Sequence, residues 1–561
     1  MAPIRSSADR APPAVDRPSV TEIGGASTFA ELLARTVAER PDHPAVVLAD
    51  GTLTYRDLEQ RSADMARAFL ALGVGKGTRV GVLAPDGALW LTAFYAALRI
   101  GALVTPISTL AAPPELADTL RRGDIQVLVA ARRFLSRDFA QLLRAALPGI
   151  EDGHAGRLCL LSAPHLRSIW LDDPDGQSWA RSVADLLARA GEPGAPDRAV
   201  LVAAEAQVSP GDDAFVVHTS GSTATPKAVV HTHWSVANHP PVLASYFKLT
   251  ERDRTMPLLP AFWMGGIAYA LQALCTGGAL VYPPSPALDD VLDAVERHGV
   301  TCLIVWHRFA ELRAAAIARG IDVDAVRGLG SPPTDERGDR IPSRRRANLL
   351  GMSESFAIHS AEPIDVPLPE GKSGASGRAV NGIERRVVDP ETGDEVAPGE
   401  VGELQLRGGA LMSGFYGVPR SEVFTVDGFY PTRDLVRIDA DGYAYFVGRT
   451  GDMIKTSSAN VSRLEVESAL NALPDVELSL VTGLPDDTLG EVVVAAVVAA
   501  PGREPTEAGL RTALRDHLSS FKIPRRIVFI DHDDVPRTTT GKVQLFELGS
   551  LIEAHSADRQ D

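Results

Sequence analysis

The chain has 561 residues, more than one compact core holds and enough for about three or four folding units at ~150 residues each. Hydrophobic residues make up 45% and charged residues 23%, which excludes a wholly disordered chain. Set against 72 Asp and Glu, 56 Lys and Arg leave a net charge of −16. A surface that acidic repels phosphate backbones and anionic lipid, so neither nucleic acid nor a membrane surface is an expected partner. Basic runs are short, and Arg344-Arg345-Arg346 reads as a solvated turn.

In chain order, residues 1–25 are rich in Pro, Ala, Ser and Arg without periodicity and read as a flexible tail. They lack the apolar core of a signal peptide. Leu91, Phe94, Tyr95 and Leu98 fall at helical spacing and predict a helix with one apolar face. Gly101 ends that helix, and Ala102-Leu103-Val104 starts a strand. Gly402 to Arg407 alternates polar and apolar, as a half-exposed antiparallel strand does. A turn-rich stretch at Gly448–Gly451 precedes a last ~110 residues with helix and strand signals of their own, enough for a small separate domain. The longest apolar run, Val492 to Ala500, is far short of the ~20 residues that span a bilayer and reads as a buried strand. Cys159, Cys275 and Cys302 are scattered without C-x-x-C spacing. A reducing, cytoplasmic setting and no zinc site are therefore expected.

The most informative segment is TSGSTATPKAV at Thr219–Val229, which follows the apolar strand Phe215–Val217. Its hydroxyls, glycine and lysine suit a loop that donates hydrogen bonds to phosphate oxygens beside a cation, although the Walker A spacing is absent. By composition alone a polar surface turn fits as well. Further segments follow in order: LTYRDL at Leu53–Leu58, LRIGALVTPI at Leu98–Ile107, PAFWMGG at Pro260–Gly266 and GMSES at Gly351–Ser355. GEVGELQLRG, DGFYPTRDL, GRTGDMIKTSSANVSRLEVE and PRTTTGK at Pro536–Lys542 complete the set. Together they resemble the adenylate-forming superfamily over nearly the whole chain, and MIKTSSANVS most resembles its acyl-CoA synthetase branch.

The resemblance implies an α/β fold: a large N-terminal region at 26–450, built of two wound α/β sheets and a β-barrel-like antiparallel subdomain, and a small mobile α+β lid at 451–561. It implies an AMP-forming ligase that joins a hydrophobic carboxylic acid to coenzyme A through an acyl-adenylate, with ATP and Mg²⁺, as a monomer or homodimer. By resemblance, Thr219, Ser220, Ser222, Thr223 and Lys227 cradle the β- and γ-phosphates. Glu354 holds Mg²⁺ and Ser353 lies near the α-phosphate. Asp434 binds the ribose, Arg449 supports the nucleotide, and Lys542 bridges the incoming carboxylate and the α-phosphate. Phe262, Trp263, Met264, Gly265 and Gly266, with Trp306 and His307, would form the acyl pocket, the glycines leaving apolar volume. Gly451 falls at the hinge position, and CoA would pass Ser457 and Ser458. His231 and His233 read as packing or polar-bridging residues.

Several positions depart from the family pattern. Ala224 and Ala228 replace glycines around the phosphate-loop lysine, Arg433 replaces the glycine before Asp434, and Ser458 replaces a tunnel glycine. The segment Gly330–Pro333 resembles the adenine-side motif poorly. If the alanine positions need left-handed backbone or close phosphate approach, each methyl costs about 1–2 kcal/mol. Adenylation would then be the weaker half-reaction, and the chain would depend on a separate adenylating enzyme. An ordinary two-step ligase and a non-catalytic binder of acyl-adenylate or acyl-CoA remain the alternatives.

Overall fold

The structure, a computed structural model, describes residues 26–155, 157–219, 227–305, 309–328, 348–449, 453–456, 459–486, 490–518, 522–537 and 543–557. Two wound sheets dominate the first part. The larger has eight strands, and its centre runs, in spatial order, through Lys227–Thr232, Asp213–Thr219, Leu103–Pro106, Arg79–Leu83, Val127–Ala130 and Ser168–Leu171. From Asp213–Thr219 to Ser168–Leu171 these strands pair in parallel, whereas Lys227–Thr232 runs antiparallel to Asp213–Thr219. A five-stranded sheet orders Cys302–Ile304, Arg254–Pro257, Ala279–Val281, Pro44–Leu48 and Gly51–Thr54.

Strand periodicity decides which core each side chain joins, because successive residues face opposite sides. Val46 and Leu280 join the principal core, which also takes Val80 and Val104 from the eight-stranded sheet. Their neighbours Val47, Ala279 and Val281 join a second core on the other face, with Val291, Leu292 and Val295 of the helix Leu288–His298. The helix Ala88–Arg99 lies in the principal core and is buried from Trp90 through Arg99. The expected one-sided amphipathic helix is thus buried all round, because both sheets contribute to the core it enters. Arg99 is tolerated there through ion pairs to Glu59 and Glu205.

The antiparallel subdomain is an open sheet, not a barrel. Its strands Glu384–Val388, Val401–Arg407, Tyr430–Ile438 and Ala444–Arg449 pair in that order, and no ladder among the described residues joins the outer two. Leu404, Leu406, Tyr430 and Val436 pack with Val229, Leu411 and Met412. One face is therefore held against the strand that follows the hydroxyl-rich segment.

From Met453 onward the chain forms its own sheet. Gly490–Ala499 pairs antiparallel with Val476–Asp486 and parallel with Arg526–Phe529, so the apolar run is a central strand. Val493, Ala495 and Val497 face one cluster, and Val494, Ala496 and Val498 face another, closed by Leu548 and Ile552 of the helix Leu545–Ala557.

Candidate functional site

Strands Asp213–Thr219 and Lys227–Thr232 are antiparallel neighbours whose last registered pair is Thr219 opposite Lys227. Both ends of the hydroxyl-rich segment are thereby fixed side by side at the strand ends, while Ser220, Ser222, Thr223 and Ala224 lie outside the described residues. The Lys227 ammonium stands 5.0 Å from the centroid of the Phe415 ring, a cation–π contact. Ala228 is registered opposite His218 in the ladder, and its φ is not positive. It packs beside Val216 and Val230. The expected backbone penalty at Ala228 is therefore withdrawn: any residue adopts this strand conformation.

The GMSES segment is a tight corner. Leu350–Met352 pairs antiparallel with Ala357–Ala361 across a 3₁₀ turn at Ser353–Ser355. A Cβ on Gly351 would overlap the Ala357 carbonyl oxygen, so only glycine fits there. Phe356 and Ala357 follow with φ of 54° and 73°, a left-handed pair that residues with side chains rarely adopt. Ser355 Oγ braces the corner by donating to the Met352 carbonyl at 3.1 Å or the Ala357 carbonyl at 2.8 Å, and it accepts the Met352 N–H at 3.3 Å.

Glu354 is 8% exposed. Its Oε1 accepts the Tyr430 hydroxyl at 3.2 Å, and its backbone carbonyl accepts the Met412 N–H at 2.9 Å. The His231 ring, buried in the adjoining strand, donates Nε2–H to the Ser353 carbonyl at 2.8 Å. The carbonyl can only accept, so the tautomer is fixed. Burial pulls the imidazoles of His231 and His239 down to about 3 and about 4, so both are neutral at physiological pH. His233 acts as a bridge too, its Nδ1 accepting the Phe29 N–H at 3.5 Å.

Asp434 lies four residues beyond Tyr430 in the same strand, 3% exposed and in register with Arg449. Thr432 braces it: Oγ1 accepts the Asp434 N–H at 3.0 Å and donates to the Leu404 carbonyl at 2.7 Å. Arg433, between these buried residues, has φ 63°, and its N–H donates to Glu403 Oε1 at 2.8 Å where the ladder register shifts. Its side chain is exposed. Arg433→Gly relieves ~1–2 kcal/mol of left-handed strain against ~0.5–1 kcal/mol of added unfolded-chain entropy. The melting temperature should therefore rise by a few degrees; a fall would show that the arginine side chain contributes more than its backbone costs.

The proposed acyl wall begins where Ala261 N–H donates to Asp86 Oδ1 at 2.8 Å. Desolvation pushes that carboxyl up to about 7. Phe262 and Trp263 meet edge to face at 5.4 Å, and Trp263 stays partly exposed at the start of the helix Met264–Thr276. Met264 instead joins the principal core. A Cβ on Gly266 would overlap the Pro260 carbonyl oxygen, so this glycine serves close packing of the turn, not the open volume expected of it. A Cβ on Gly265 would press on the Leu259 side chain.

Trp306, His307, Gly451, Ser457, Ser458 and Lys542 lie outside the described residues, as does Gly330–Pro333. For Arg449 the structure gives the strand position alone. Arg537 and Val543, either side of the segment ending in Lys542, form an antiparallel bridge. Asp86, Tyr430 and His239 were not singled out by sequence reasoning. No local pattern announces that the hydroxyl of Tyr430 reaches a carboxylate 76 positions away.

Residues 33–416 match the AMP-binding enzyme family, and residues 465–542 match the AMP-binding enzyme C-terminal domain. The chain belongs to this family, the adenylate-forming superfamily, and is an enzyme of its acyl-CoA ligase branch. It is 30% identical over 532 residues to the fatty acid–[acyl-carrier-protein] ligase ScoC of Streptomyces coeruleorubidus, covering 92% of this chain and 95% of the relative. It is 28% identical to the indoleacetate–CoA ligase of Aromatoleum aromaticum, covering 93% and 98%. Among solved structures it resembles the anthranilate CoA ligase AuaEII in complex with anthranoyl-AMP, at TM-score 0.74 and 24% identity over 96% of this chain and all of that one. ATP-bound MatB from Rhodopseudomonas palustris follows at TM-score 0.71 and 25% identity, covering 94% and 98%.

Proposed function

We propose that this chain makes an acyl-CoA thioester from a hydrophobic carboxylic acid through an acyl-adenylate, and that thiolation is the stronger of its two half-reactions. The observation that carries the reading is a convergence. His231, four residues beyond Lys227, bonds to Ser353; Tyr430, four residues before Asp434, bonds to Glu354. Three segments distant in sequence are thus tied into one group of anion- and ribose-binding candidates.

In the first half-reaction the substrate carboxylate attacks the α-phosphorus of ATP and pyrophosphate leaves. In the second, the CoA thiol attacks the acyl carbon and AMP leaves. Thr219, Ser220, Ser222, Thr223 and Lys227 bind the leaving pyrophosphate, Asp434 and Arg449 hold the nucleoside, and Lys542 bridges the reacting anions. Glu354, nearly dry and braced by a hydroxyl, fits a hard cation that takes one carboxylate and completes its shell with phosphate oxygens. Bound there, Mg²⁺ would neutralise charge on the phosphates. Phe262 and Trp263 offer an aromatic surface to the acyl group, and Trp306 and His307 contribute to the same pocket. Relatives named for fatty acids and for indoleacetate support a hydrophobic acid. Gly451 is the hinge about which the lid turns between the half-reactions, and CoA enters past Ser457 and Ser458.

With Ala228 unstrained, Ala224 is the phosphate-loop departure that still weakens adenylation, by about tenfold for one methyl costing ~1–2 kcal/mol. An acyl-adenylate carries neither β- nor γ-phosphate and escapes that loss. The test is calorimetry with a non-hydrolysable acyl-adenylate analogue. Asp434→Ala should weaken binding by ~1.5–3 kcal/mol, the range for a hydrogen bond to a charged group. Unchanged affinity would remove Asp434 from the ribose contact, and a parent that binds no analogue would overturn the reading.

A further inference from the structure

The corner at 353–358 has a feature that adenylate binding alone does not require. Its backbone turns through two successive left-handed residues, Phe356 and Ala357, a conformation that persists only where the surroundings enforce it. Two buried imidazoles grip its ends: His231 Nε2–H donates to the Ser353 carbonyl at 2.8 Å, and His239 Nε2–H to the Ile358 carbonyl at 3.2 Å. Between them the Phe356 ring is fully buried, with the His231 and His239 rings edge-on at 4.9 and 5.8 Å and Phe215 at 5.8 Å.

A core chosen for stability alone would put phenylalanine at 231. His231 already packs against the Phe215 ring at 5.2 Å, and its Nδ1 is buried with no hydrogen-bond partner among the described residues, a cost a hydrocarbon ring would not carry. The compensation is the Nε2–H directed at Ser353. We infer that His231 and His239 are positioning residues, a two-ended clamp that holds Ser353 and Glu354 in their nucleotide-binding geometry. The inference rests on the reading of Ser353 and Glu354 as nucleotide-side groups. It gives the two histidines no part in proton transfer.

The experiment measures affinity for the same acyl-adenylate analogue in His231→Phe and His231→Gln, together with the KM for CoA. Gln places an N–H near the imidazole Nε2, whereas Phe keeps the ring and removes the donor. His231→Phe should bind the analogue at least tenfold more weakly with its KM for CoA unchanged, and His231→Gln should stay within threefold of the parent. If the Phe variant fails to fold, His231→Asn replaces it; its shorter amide falls short of the carbonyl and should show the tenfold loss. His239→Phe should weaken binding in the same sense. Parent-like affinity in His231→Phe, or equal losses in the Gln variant and the donor-less or short variant, would overturn the clamp. A parent that binds no analogue would instead count against the underlying functional reading, which keeps the two failures distinct.

Discussion

Lys542→Ala should lower acid- and ATP-dependent thioester formation about a thousandfold, while thioester formation from pre-made acyl-adenylate falls less than about tenfold. The first half-reaction brings a carboxylate against an α-phosphate, two anions that repel in a partly dry site. A cation between them stabilises the charge that develops in transfer, and the loss of one such group costs 10²–10³ or more in rate. Once the adenylate exists, the carboxylate charge is gone and the lysine has little left to neutralise. Arg537 and Val543, the described residues on either side of it, pair with each other without Lys542, so the substitution should leave the fold intact. Stopped-flow or quenched assays of the two routes in parallel decide the point. Equal losses in both routes would mean that Lys542 acts on CoA or on the lid, not on the anions.

Glu354→Gln should reduce adenylation about a hundredfold and raise the Mg²⁺ concentration needed for half-maximal rate, with thiolation within about fivefold of the parent. Glutamine keeps the shape and can still accept from Tyr430, so what is removed is the charge. Tyr430→Phe removes the brace from Oε1 and should give a milder loss with the same half-reaction bias, about tenfold, as for one hydrogen bond to a charged group. A Mg²⁺ dependence identical in parent and Glu354→Gln would take the cation away from this carboxylate. Both variants are compared by pyrophosphate release and by thioester yield from adenylate.

How much of this was legible in the sequence depended on range. The central strand near Val492 showed itself as an unbroken apolar run, because burial on both faces leaves no alternation to find. Motif order was enough to propose Lys227, Glu354 and Asp434 as candidates. Their mutual placement was not readable, because it runs through His231 and Tyr430, whose partners lie 122 and 76 positions away. The glycines were misread in two ways. Gly266 looked like room for an acyl chain and is in fact the point where the Pro260 backbone passes. At Ala228 a missing glycine suggested left-handed backbone; the ladder to His218 makes that position an ordinary strand. Arg433, by contrast, does stand on left-handed backbone, with φ at 63°. A lost glycine therefore signals strain only where the backbone requires one, and only coordinates distinguish the two cases.

The measurement that bears most directly on the central claim is a thioester assay run side by side with two inputs, acyl-adenylate plus CoA and free acid plus ATP plus CoA. The account predicts thioester and AMP in equal amounts from the adenylate, at a rate about tenfold or more above that from acid and ATP. Recovery of part of the slower route is expected in Ala224→Gly. No thioester from any acyl-adenylate would contradict the ligase assignment itself, and ATP–pyrophosphate exchange as fast as thiolation would contradict the order of the two half-reactions.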